Sequence, residues 1–205
     1  MAERIRTANR LHVDLVSLHP GYEQQIRTLS CGVQLERAER LLAGDERLQG
    51  GLARRRIETL TRPDTEIKQT QRELRALVRE SGSGLPQLAG VGDLIAARLI
   101  GEVGDVHRIA SKARFARMNG TAPIPASTGH TNRHRLNKGG NRRLNHAVHM
   151  IALTQARIDP RARAYIERRR SEGRTRRDAV RALKRHLSDV VYQQLRQDAA
   201  TARLT

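Results

Sequence analysis

With 205 residues and a formal net charge of +18, the chain is sized for one ordinary domain, or a small domain with a helical extension. Its charge favours polyanions, nucleic acid first and an anionic membrane surface second. No apolar run nears the ~18 residues of a membrane span, and the single cysteine, Cys31, excludes an internal disulfide and a cysteine zinc cage.

The expected fold is mainly α: a long helical, coiled-coil-like arm over 1–81, a compact helical domain over 82–157, and basic helices over 158–205. Ile5, Leu11, Leu15 and Leu18 recur at helical spacing. The stretch "HPGYE", His19 to Glu23, breaks that helix where Pro and Gly adjoin. A second helix is expected over about 33–43, ending near Gly44. Next, Leu60, Ile67 and Leu74 fall in seven-residue steps within mostly charged sequence. Such a narrow stripe suggests a coiled-coil hairpin or dimer arm; its other reading is an amphipathic helix on a domain surface. Pro63 is expected at a helix start. "SGSG", Ser81 to Gly84, is taken as a flexible joint.

Beyond the joint, "LPQLAGVGDLIAARLIGEVGDV" places Gly90-Val91-Gly92 before an apolar helical run. This is the helix-hairpin-helix pattern. Gly90 and Gly92 permit a tight turn, and the amides that follow can face a phosphate. The other reading is a plain helical hairpin. Later, Asp159-Pro160 starts a helix, Gly173 ends it, and Asp178 to about Leu195 forms another. No strand of any length is expected, and four aromatics, Tyr22, Phe115, Tyr165 and Tyr192, are too few for base-stacking platforms.

Between Asp105 and Asp159 there is no Asp or Glu, while the 53 intervening positions hold ten Lys and Arg. Two-metal phosphoryl transfer needs clustered carboxylates, so chemistry in this window runs on hydroxyls and cations; otherwise the window is a solvated face that grips phosphates. Within it, Ser127 and Thr128 follow Pro123 and Pro125 and precede Gly129. A hydroxyl is a poor nucleophile unless activated. Guanidinium groups stabilise charge developing on oxygen and phosphorus, and Arg133, Arg135, Lys138, Arg142 and Arg143 lie nearby in sequence. Attack on a DNA phosphodiester would leave a phosphoseryl or phosphothreonyl link that conserves the bond for rejoining. His146 and His149, three apart on a helix, are read as packing or phosphate partners, with no metal site.

"Phe-Ala-x-x-Asn-Gly-Thr-Ala-Pro" from Phe115, the Ser-Thr-Gly turn and "Lys-Gly-Gly-Asn-Arg-Arg-Leu-Asn" from Lys138, together with the glycine turn upstream, resemble the C-terminal domain of transposases of the insertion-sequence one-ten family over about 85–157. The resemblance implies DNA recombination that moves an insertion element. It also implies a nucleophilic serine, homo-oligomers formed through the helical arm, and a guide (bridge) RNA as a partner beside DNA. A RuvC-like domain with four metal-binding carboxylates would precede this chain, so Mg2+ is expected only with that domain. The chain then corresponds to a truncated transposase of the cytoplasm and nucleoid that binds nucleic acid without completing transposition alone. The family serine stands immediately before the glycine, where this sequence has Thr128. Either Ser127 serves, or Thr128 substitutes, or the site is inactive. The alternatives to this reading are a non-catalytic basic DNA- or RNA-binding protein and a ribosome-associated protein.

Overall fold

The computed structural model describes residues 2–125, 134–135, 137 and 139–203. The fold is mainly α. Eight α-helices run in chain order: α1 (Ala2–Leu18), α2 (Gly32–Leu41), α3 (Leu48–Glu80), α4 (Asp93–Val103), α5 (Lys112–Met118), α6 (Arg142–Ile158), α7 (Pro160–Ser171) and α8 (Arg176–Thr201). Single 3-10 turns stand at Tyr22–Gln24, Leu85–Gln87 and Val106–Arg108. Between α5 and α6, β1 (Ile124–Pro125) pairs antiparallel with β2 (His134–Arg135), Ile124 opposite Arg135 and Pro125 opposite His134.

The chain divides into two compact units, Met1–Arg72 and Glu73–Thr205, and the division falls within α3. In the first unit, Leu11, Leu15 and Leu18 of α1 share a core with Leu35 and Ala38 of α2 and Ala53, Ile57 and Leu60 of α3. The break after α1 comes where expected, with Gly21 at φ 85°. Pro63 departs from expectation, for it lies inside α3 and not at a helix start. A proline there removes the bond to the carbonyl of Thr59. Pro63 and Thr59 are both exposed, so water can satisfy that carbonyl and the helix continues. Of the narrow stripe, Leu60 is buried but Ile67 is 55% exposed.

The second unit is built around α8. Ala179, Leu183, Leu187, Val191 and Leu195 recur every fourth residue and are buried, which puts them on one face of the helix. That face packs with Leu99 and Val103 of α4, Phe115 of α5, Leu144, Val148 and Ile151 of α6, and Ile166 of α7. Tyr192 anchors the assembly at its polar end, donating from its hydroxyl to the carbonyl of Ile109 at 2.7 Å. The helices are capped by their own side chains. Ser111, Asn141, Asp159 and Thr175 each accept a backbone N–H at the start of α5, α6, α7 and α8, satisfying donors a helix leaves free. No helix among the described residues is long and apolar enough to cross a membrane.

Candidate nucleic-acid interface

The segment between α5 and α6 leaves and returns through one tight crossing. Gly120, at φ 71°, follows α5, and Gly140, at φ 91°, precedes α6. A Cβ on Gly140 would stand 2.6 Å from the carbonyl oxygen of Met118, and one on Gly120 would stand 2.9 Å from that of Gly139. Side chains rarely adopt such φ values and there is no room for them here. The crossing is hydrogen-bonded as well: Thr121 N and Ala122 N donate to Ala116 O at 2.9 and 3.0 Å, and Asn141 N donates to Met118 O at 2.6 Å. Next to the crossing, β1 and β2 pair antiparallel, and the segment 121–140 that they belong to is called the hairpin below.

Three asparagines hold this foot. Asn119 is fully buried. Its Nδ2 donates to Ser188 Oγ on α8 at 2.8 Å, and its Oδ1 accepts from Thr121 N at 3.1 Å and Thr121 Oγ1 at 2.7 Å. Asn145 donates to the carbonyl of Asn119 at 2.7 Å and accepts from Lys184 Nζ at 2.8 Å. Asn141 caps α6, its Oδ1 accepting from Arg143 N and Leu144 N. The motifs around Asn119 and Asn141 are thus the two sides of one locked turn, a pairing that sequence spacing does not reveal.

The acid-free window is acid-free in sequence but not in space. Glu102, from α4, accepts from Asn141 Nδ2 at 2.6 Å and from Arg143 at 3.0 Å. Those hydrogen bonds, Asn141 first, hold its carboxyl below the usual carboxylate range. Of the expected phosphate-binding cations, Arg143 is therefore ion-paired, though its side chain stays 79% exposed. Arg142 is exposed and forms no ion pair among the described residues. Ser127, Thr128, Arg133 and Lys138 lie outside the described residues, and for Arg135 only the backbone is described.

Three further cations of the acid-free window flank the same foot. Lys112, Arg114 and Arg117 of α5 are exposed and form no ion pair among the described residues. Arg114, Arg117 and Met118 line a shallow depression of about 410 Å³. The signal in the sequence is the three-residue spacing of Arg114 and Arg117 on one short helix. His146 and His149 do not share a partner. His146 Nδ1 lies 3.1 Å from an Arg98 nitrogen, whereas burial, then the charges of Lys184 and His146, push the pKa of half-buried His149 down.

The two glycines of the upstream turn play different parts. Gly90, at φ 80°, lies against α6, where a Cβ would meet the Ile151 carbonyl and Thr154 at 3.2 Å. Gly92 is exposed, at the N-cap of α4, with open space where a Cβ would sit. The element before them is one 3-10 turn, Leu85–Gln87. Asp93, in the first turn of α4, is bound by Arg75 Nε at 2.6 Å. Among the described residues no three His, Cys, Asp or Glu side chains are grouped to hold a metal ion.

This glycine turn, locked hairpin foot and capped α6 form one stretch that matches a known pattern. Residues 83–167 fit the family of IS116/IS110/IS902 transposases. That stretch is similar to the family. It is 28% identical over 171 residues, or 82% of its length, to the 42 kDa protein of insertion element IS900 of Mycobacterium paratuberculosis. Over 114 residues, 55% of its length, it is 35% identical to the 43.6 kDa protein of insertion element IS110 of Streptomyces coelicolor. Over 137 residues, 65% of its length, it is 31% identical to the 44.8 kDa protein of insertion element IS116 of Streptomyces clavuligerus. The matches span 43%, 28% and 34% of those three proteins, so the chain corresponds to less than half of each.

Proposed function

We propose that this transposase-family chain grips the phosphodiester backbone of DNA with the cations around the 121–140 hairpin, and that the hairpin carries the hydroxyl that attacks the strand. One observation supports this most: the hairpin foot is locked from three helices, while Lys112, Arg114, Arg117 and Arg142 beside it lack carboxylate partners among the described residues. A locked foot bordered by unneutralised cations suits an anionic polymer. It also meets the need of a hydroxyl nucleophile, which must be held still while charge grows on phosphorus.

In the proposed step, the oxygen of Ser127 or Thr128 bonds to phosphorus and loses its proton to solvent. The bond from phosphorus to one strand oxygen breaks, and that oxygen leaves as an alcohol, taking up a proton. The phosphodiester count is unchanged, so the strand can be rejoined without an external energy source. The exposed Gly92 N-cap offers a second, backbone-only approach to a phosphate, as in a helix-hairpin-helix. Guide RNA, oligomers formed through the first 81 residues, and cooperation with a RuvC-like domain belong to the same proposal. For the oligomer, exposed Ile67 and Leu77 on α3 supply apolar surface.

A suicide DNA substrate carrying an element junction tests this, with and without a RuvC-bearing partner. The expected result is a covalent protein–DNA adduct lost in Ser127→Ala or in Thr128→Ala. DNA binding without an adduct in either condition would leave a non-catalytic binding module.

A further inference from the structure

The core helix α8 carries one cation whose environment differs from its neighbours'. Arg181 pairs with Asp178 at 3.0 Å, and Arg185 pairs with Asp189. Lys184, between them, forms no ion pair among the described residues. Its side chain turns toward α6, where Nζ donates to Asn145 Oδ1 at 2.8 Å. An ammonium has three donors, and this is its one hydrogen bond among the described residues. The titratable groups that act on it, Arg181 from its own helix and His149 from α6, are basic. Burial first, and Arg181 second, push its pKa below the usual lysine value.

A half-buried ammonium with no counter-ion carries an electrostatic cost that an arriving anion removes. The position of Lys184 decides which anion. Its partner Asn145 is the residue that binds the Asn119 carbonyl at the hairpin foot, so an anion on Lys184 lies beside the foot of the proposed DNA-binding hairpin. Lys184 also lies beyond the 83–167 stretch that fits the family, so nothing in that match assigns it.

We infer that Lys184 is a direct phosphodiester contact, its ammonium binding a non-bridging oxygen of the DNA strand that the hairpin engages. The inference rests on the proposed DNA binding. The competing role is structural: Lys184 would only hold the Asn145 amide in the orientation that serves Asn119. Lys184→Gln separates the two, because glutamine keeps a donor for Asn145 and loses the charge.

The test measures affinity of the full chain for a labelled duplex over a salt series, with thermal unfolding in parallel. For K184Q the expected result is roughly three- to tenfold weaker binding, a salt slope shallower by about one unit, and an unfolding midpoint that is unchanged or raised. Arg27→Gln, an exposed site in the first unit, is expected to leave the slope as it is. A scan of duplexes each carrying one neutral methylphosphonate should find a position that weakens the wild type but not K184Q. K184Q binding with the wild-type slope, or a methylphosphonate pattern identical in both proteins, would overturn the inference and leave the DNA-binding reading standing. Absence of duplex binding by the wild type would overturn both.

Discussion

The two units of this basic chain use their cations differently. Residues 1–72 hold 13 Lys and Arg against 10 Asp and Glu, a formal +3; residues 73–205 hold 26 against 11, a formal +15. In the first unit several arginines are internal struts. Arg56 reaches the nearly buried Asp14, Arg4 binds Asp64 at 2.9 Å, Arg47 binds Asp45 at 2.7 Å, and Arg54 donates to the carbonyls of Leu42 and Asp45 at 2.9 and 2.8 Å. Around the hairpin of the second unit, Lys112, Arg114, Arg117, Arg142 and Lys184 have no such carboxylates among the described residues. The difference teaches that net charge identifies a class of partner, whereas the pairing of each cation identifies the surface that meets it.

The sharpest way to break this contrast is to exchange the two kinds of arginine. Arg56→Met leaves the Asp14 carboxylate, 7% exposed, without its partner. Losing one member of such a pair costs about 3 kcal/mol, so the denaturation midpoint of the first unit should fall while DNA affinity at a temperature well below unfolding stays put. Arg114→Gln with Arg117→Gln should do the reverse. Stability should hold within about 0.5 kcal/mol, and the salt slope of DNA binding should become shallower by roughly two units. A binding loss from R56M in the folded protein, or a stability loss from the double variant, would erase the distinction.

Acid should sharpen the same comparison, with smaller effects. His149 has a folded pKa below its ordinary 6.5. The unfolded chain therefore takes up that proton first, and the second unit loses stability as pH falls through 6.5. Asp45 is held at about 2, below its ordinary 3.8, chiefly by hydrogen bonds from Arg47. Its contribution to the first unit is intact above 3.8 and is lost as pH falls from there toward 2. Unfolding followed separately in each unit should show the second weakening at the milder pH, and His149→Gln should remove that early phase. Simultaneous loss in both units near neutral pH would contradict this assignment.

Much of the fold was legible because it rests on periodicity. The four-residue spacing from Ala179 to Leu195, the Gly21 break and the Asp159 start each follow from local chemistry. Pro63 misled because local propensity ignores where a freed carbonyl points; on an exposed face, water takes it. The family pattern was legible in the Asn119-Gly120 and Gly140-Asn141 motifs, but their union into one foot was not, since it depends on how α5 meets α6. Glu102 was missed for a related reason. A window drawn along the sequence excludes a carboxylate that α4 brings in from three residues before Asp105. Lys184 was passed over because its surroundings come from α6 and carry no signature in the residues next to it.

DNA is thus expected to meet the second unit at the hairpin foot, while Arg4, Arg47, Arg54 and Arg56 of the first unit stay in structural use. Amide hydrogen exchange across the whole chain, with and without a DNA duplex, tests this most directly. The expected result is new protection in α5, in the 121–140 segment and at the start of α6, with α1 and α2 unchanged. Equal protection of α1 and α2, or none at α5 and the start of α6 while DNA is bound, would contradict it.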